Sequence, residues 1–123
     1  MDVVIAHKGV VRWKIETEGV AVHSSKPSLG DNAIYSMATI VGSLSKLADQ
    51  LESGVKMHSL CGSPTISVGT ISGGQSVNIV PDRCVIEIDR RVIPGETIES
   101  VLRQSQEHLG ATTDAAFSMH PPY

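Results

Sequence analysis

Aromatic side chains are scarce: one Trp, two Tyr and one Phe in 123 residues. The core must therefore be aliphatic, built from Val, Ile, Leu, Ala and Met. No apolar run reaches the length needed to cross a membrane, and no signal-peptide pattern precedes the first polar residues. A cytoplasmic protein with no membrane partner is expected. Ten Lys and Arg face thirteen Asp and Glu, for a net charge of −3. No dense basic stripe exists, which argues against a nucleic-acid partner. The two cysteines, Cys61 and Cys84, form no C-x-x-C pair. Cys84 falls in an apolar alternation and reads as a buried thiol.

Chemistry-bearing motifs are also missing. The five histidines, His7, His23, His58, His108 and His120, stand in no metal-ligand spacing. There is no G-x-S-x-G elbow, no adjacent acidic pair and no phosphate-binding glycine loop. The residues supply no self-contained active site.

What is present is regular patterning. Between residues 9 and 19, Val11, Trp13, Ile15 and Thr17 alternate with Arg12, Lys14, Glu16 and Glu18, the signature of a half-buried strand. Gly19 breaks it, and extended chain continues to His23. Pro27 and Gly30 then close a loop, and Asp31 or Asn32 can cap a helix. Ile34, Met37, Ala38, Val41, Leu44, Ala48 and Leu51 recur at helical spacing. The spacing predicts a helix over 31–52 that stops at Gly54.

A second strand is expected over 65–71, then a Gly73-Gly74 turn. A third strand is expected from Val77 to Val92, broken by Pro81, with Cys84, Ile86 and Ile88 inward and Arg83, Glu87, Asp89 and Arg91 outward. A second helix is predicted over 97–109, ended by Gly110, and a short last strand lies within 112–119. The order βαββαβ, with one charged sheet face, predicts an α+β two-layer sandwich. A four-stranded antiparallel sheet would carry both helices on one face, in the ferredoxin-like split βαβ manner. No second domain is visible.

From Met57 to Pro81 no Asp, Glu, Lys or Arg occurs. The strand inside this stretch falls at a sheet edge, where charge normally blocks pairing. Either it pairs with a second copy of the chain, or a loop of the same chain covers it.

Three residues are candidates for a site. His23 stands at a loop mouth and can donate a hydrogen bond to an oxyanion. A lone histidine there is also an ordinary structural residue. Asn78 follows the Gly-Gly turn and reads equally as a turn residue. Arg91 has the guanidinium fork that suits a carboxylate, or it pairs with Asp89 or Glu87. Asn78 and Arg91 fall on adjoining parts of the expected third strand, so a shared binding face is anticipated.

Four segments in order carry a family resemblance: Ala6-His7-Lys8-Gly9; Gly19 to Pro27 with Gly30-Asp31-Asn32-Ala33-Ile34; Gly73-Gly74-Gln75-Ser76-Val77-Asn78-Ile79-Val80-Pro81; and Asp89-Arg90-Arg91-Val92-Ile93-Pro94-Gly95. Over residues 6–110 the chain resembles the dimerisation, or lid, domain of the di-zinc amidohydrolases and metallopeptidases. That family includes acetylornithine deacetylase, succinyl-diaminopimelate desuccinylase, aminoacylase and glutamate carboxypeptidase. The His-Lys-Gly start and the His-Ser-Ser triplet lean toward the acetylornithine deacetylase branch. The resemblance implies an insert of a larger hydrolase whose two zinc ions are held by a catalytic domain absent here. This chain itself is expected to hold no cofactor and to be inactive alone.

By the same resemblance, His23 crosses a homodimer, formed through the edge strand and first helix, to stabilise an oxyanion in the partner's site. Asn78 contacts the substrate, an N-acyl amino acid or small peptide, and Arg91 grips its carboxylate. His7 matches a family position without an assigned role. The rival reading is a small-ligand-binding or regulatory dimerisation module with the same fold and no hydrolase domain.

Overall fold

The computed structural model describes residues 9–54 and 62–123. His7, His58 and Cys61 lie outside them. Strand β1, Gly9–Glu18, buries Val11, Trp13, Ile15 and Thr17 and leaves the alternate positions open. Helix α1, Ala33–Ser53, starts where Asn32 Oδ1 accepts from the N–H groups of Ile34 and Tyr35 at 2.9 and 3.2 Å. Those are two of the donors a helix start leaves orphaned. Strand β2 is Thr65–Gly73, β3 is Arg83–Val92, α2 is Ile98–Thr112, and β4 is the short Ser118–Met119. The sheet is antiparallel in the order β2-β3-β1-β4, so the uncharged β2 is an edge as expected. Its register slips between Val68 and Thr70, placing a bulge at Gly69.

Both helices cover one face. Trp13, Ile15, Ile86 and Ile88 from the sheet meet Met37, Ile40, Leu44, Val101 and Leu109 from the helices. Cys84 is a buried free thiol, and burial pushes its pKa up. The other face is an array of charges. Arg83 bonds Glu16 in a fork at 2.9 and 3.2 Å, and His120 Nε2 reaches the same carboxylate at 3.0 Å. The C-terminal segment runs along β1: His120 N–H donates to Lys14 C=O and Tyr123 N–H to Arg12 C=O, both at 2.9 Å. Gly9 and Tyr123 therefore lie at the same end of β1.

Three expectations need correction. The third strand starts at Arg83, not Val77. Pro81 has no N–H for a ladder. The segment before it instead forms a turn and one isolated bridge, His23 to Ile79. The second helix continues through Gly110 to Thr112. Its last turn is held against α1 by Ser43–Thr112 and Thr39–Thr113 hydroxyl pairs and by His108 Nε2 donating to Ser43 C=O at 2.8 Å. The buried stripe of α1 is Ala33, Met37, Ile40, Leu44, Leu47 and Leu51. Ile34 and Ala38 are exposed, and Val41 and Ala48 only half-buried, on the helix flank beside β2.

Candidate functional site

The chain beyond β1 is pinned at several points. Gly19 N–H donates to Asp82 C=O at 2.8 Å. Val20 and Asp31 exchange both backbone hydrogen bonds, at 2.8 and 3.0 Å. Thr17 Oγ1 donates to Ala33 C=O at 2.8 Å, tying the strand end to the helix start. Gly19 is required here: a Cβ would lie 2.0 Å from Asp31 O and 3.0 Å from Ala33 N.

His23 rides on this frame. Val80 N–H donates to Val22 C=O at 2.8 Å and Ser24 N–H to Asn78 C=O at 2.9 Å, so the backbone is bonded on both sides of His23. The ring is exposed. Its Nδ1 accepts from Ser25 N–H at 3.1 Å and lies 2.8 Å from the Ser25 hydroxyl. A backbone N–H can only donate, so Nδ1 is the acceptor nitrogen. In the neutral ring the proton then sits on Nε2, which has no partner among the described residues. The neutral His23 ring thus presents one N–H donor to the outside.

Asn78 lies beside it, on an exposed turn. Its Oδ1 accepts the Ser76 hydroxyl, which leaves the amide N–H₂ free to donate. A cleft of about 460 Å³ opens between the two loops, lined by Ser24, Pro27, Asn32, Tyr35, Val77 and Pro81. Its lining is mixed: Ser24, Asp31 and Asn32 are polar, while Val77 is 101% exposed and Tyr35 73%.

Arg91 is elsewhere. It stands at the far end of β3, beside Gly9 and Val10 of β1 and Thr65 of β2. The ten residues of β3 separate it from Asn78 by roughly 30 Å at strand rise. The anticipated shared face of Asn78 and Arg91 is therefore absent within one chain, because the strand that joins them runs its whole length between them. On the open sheet face, Arg91 Nε and Nη2 bond Asp89 at 2.8 and 3.3 Å, and Arg12 Nε bonds the same carboxylate at 2.9 Å. Burial pushes the Asp89 pKa up, but the Arg12 and Arg91 hydrogen bonds outweigh it and hold it below its ordinary value. The Asp89 pairing weighed for Arg91 is thus formed. Its Nη1 has no protein partner among the described residues.

Sequence reading marked the serines after His23 as loop neighbours but gave no role to the Ser25 backbone N–H, which sets the His23 donor, and did not single out Ser76, whose hydroxyl occupies Asn78 Oδ1. It also passed over Arg90, which is fully buried and pairs with Glu96. The serines lie two residues from His23 and Asn78, but that spacing becomes a contact only in the loop conformation the structure shows. Among the described residues no group of three or more His, Cys, Asp or Glu side chains could hold a metal ion. These residues do not fit a zinc pair, and no chemical step through metal is assigned to them. No helix among them is long and apolar enough to cross a membrane.

The model of the M20 peptidase dimerisation domain matches residues 5–115. The chain belongs to this family. A probable carboxypeptidase of Aspergillus flavus is 30% identical over 125 residues, covering 100% of this chain and 30% of the relative. The chain thus spans less than a third of that relative's length. Two solved structures share the fold. A putative aminohydrolase from methicillin-resistant Staphylococcus aureus has TM-score 0.73 at 17% identity, over 92% of this chain and 29% of that one. An M20 family metallo-carboxypeptidase from Sulfolobus solfataricus has TM-score 0.63 at 17% identity, over 94% and 38%. Metal-dependent hydrolysis is the setting of M20 peptidases, although the described residues of this dimerisation domain offer no metal site.

Proposed function

We propose that this chain is the dimerisation and substrate-capping insert of a zinc-dependent amidohydrolase or exopeptidase, and that two copies complete one another's active sites. The observation that carries the reading is a pair of donors without a partner among the described residues, His23 Nε2–H and Asn78 N–H₂, at one end of the sheet, with Arg91 at the other. Two identical edge strands related by a two-fold axis pair antiparallel. Pairing β2 with a second β2 sets the His23 end of one chain beside the Arg91 end of the other. The apolar flank of α1 and its groove of about 200 Å³ against β2 extend the same edge.

In this arrangement His23 donates to the oxygen of the scissile carbonyl as negative charge develops there. Asn78 orients substrate, and Arg91 holds a carboxylate through its free Nη1 edge. The substrate class is an N-acyl amino acid or a small peptide, with acetylornithine-type deacetylation the first activity to assay. Two zinc ions and the general base belong to a domain outside this chain. The cytoplasm is the proposed compartment, where the Cys84 thiol stays reduced. In the full-length dimer, His23→Ala should lower kcat by about 10²–10³-fold, the usual loss of one oxyanion donor, with little change in KM. Unchanged kcat would leave the chain a structural dimeriser with an inert histidine.

A further inference from the structure

The inward positions of β3 are Cys84, Ile86, Ile88 and Arg90. Three are apolar, and the fourth is a guanidinium with 0% exposure. Arg90 Nη1 donates to Arg91 C=O at 2.7 Å and to Glu96 Oε1 at 3.1 Å. Nη2 donates to Glu96 Oε2 at 2.9 Å and to Gln104 Oε1 on α2 at 3.0 Å. Glu96 Oε1 also accepts Ile93 N–H at 3.0 Å, and Glu96 N–H closes the turn on Ile93 C=O at 3.1 Å. Arg90 Nε has no partner among the described residues.

A buried ion pair with an orphaned donor is a poor route to stability. A well-packed apolar pair of the same size is often as good or better. What the pair adds is direction. It fixes the C=O of Arg91 and the N–H of Ile93, the backbone on the C-terminal side of Arg91, and it anchors both to α2. The neighbouring residue points through the sheet to the open face, where Arg91 displays its guanidinium.

We infer that the buried Arg90–Glu96–Gln104 clamp is a positioning device for Arg91, setting the geometry with which Arg91 grips a substrate carboxylate. The inference rests on the carboxylate role proposed above for Arg91. Arg90 touches no substrate and acts only through the backbone it holds.

The test uses the full-length dimer with N-acetyl amino acids as substrates. Product amino acids and their α-carboxamides serve as competing inhibitors. Three variants are compared: R91A, R90M, and R90M/E96M, the last of which leaves no unpaired buried charge. The double variant should remain folded and dimeric. It should raise KM for the N-acetyl amino acid and Ki for the free amino acid by roughly tenfold, because a small misplacement of a binding group is costly. Its Ki for the carboxamide and its kcat should stay near those of the parent. An R90M single variant that fails to fold leaves the double variant to decide.

Equal losses for amino acid and carboxamide in R90M/E96M would show a merely structural clamp and overturn the inference. If R91A weakens carboxylate binding selectively while R90M/E96M does not, the clamp inference fails and the Arg91 reading stands. If R91A shows no carboxylate selectivity, the Arg91 reading fails and takes the clamp inference with it.

Discussion

Gly19→Ala tests the frame that carries His23. The new Cβ would sit 2.0 Å from Asp31 O, more than an ångström inside van der Waals contact, and 3.0 Å from Ala33 N. Both obstacles are backbone, so no rotamer change relieves them. The strand must part from the Asp31–Ala33 segment, which breaks the two Val20–Asp31 hydrogen bonds. At about 1 kcal/mol each, plus a similar charge for overpacking, the loss is about 2–4 kcal/mol.

Gly42 supplies the opposite case. It lies in the middle of α1 with nothing within 4 Å of an added Cβ, so Gly42→Ala should stabilise by about 1 kcal/mol through helix propensity. Urea unfolding of the 123-residue chain, followed by circular dichroism, reads both changes as shifts of midpoint at constant slope. In the full-length enzyme Gly19→Ala should also depress kcat, because His23 loses its register. A Gly19→Ala midpoint equal to the parent's would refute the close approach on which the loop geometry rests.

Ser45 is exposed in the groove between α1 and β2, so Ser45→Arg should leave the monomer's melting unchanged yet shift light-scattering mass from dimer to monomer. Asn32→Ala removes the cap of α1 and should cost about 1 kcal/mol in the same urea titration. The Arg83 hydrogen bond holds the Glu16 pKa below its ordinary 4.5, and the Tyr123 and Thr70 hydroxyls do the same for Glu87. A folded pKa lower than the unfolded one contributes stability that is complete above about pH 4.5 and is lost as pH falls through the folded value. Glu16→Gln should therefore flatten the acid limb of a stability–pH curve below about pH 4.5.

The alternation in β1 and in residues 83–92 was legible because one sheet face is charged and the other apolar. That contrast fixed which face the helices cover. The α1 stripe was less legible. Ile34, Ala38, Val41 and Ala48 share the helical period with the buried line, but Ile34 and Ala38 are exposed and Val41 and Ala48 only half-buried. Periodicity does not separate an apolar residue turned to its own sheet from one on the helix's open flank. The strand forecast through Val77–Pro81 failed because Val77, Ile79 and Val80 look β-like, while the Asn78 turn and Pro81 decide the backbone. That one misreading also put Asn78 and Arg91 on a common face. The Ser25 contact that sets the His23 tautomer depends on a loop conformation that residue types alone do not specify. Arg90 was hidden because inward positions of a strand are expected to be apolar, and its partner Glu96 lies beyond a turn.

In the proposed dimer His23 serves the neighbouring subunit's site. The direct measurement is complementation between two inactive full-length variants, one carrying His23→Ala and the other disabled in its catalytic domain. Mixed dimers should regain one working site each, with activity rising in proportion to heterodimer formed, because the intact His23 of the second subunit reaches the intact catalytic domain of the first. Mixed dimers as inactive as either parent would contradict the account.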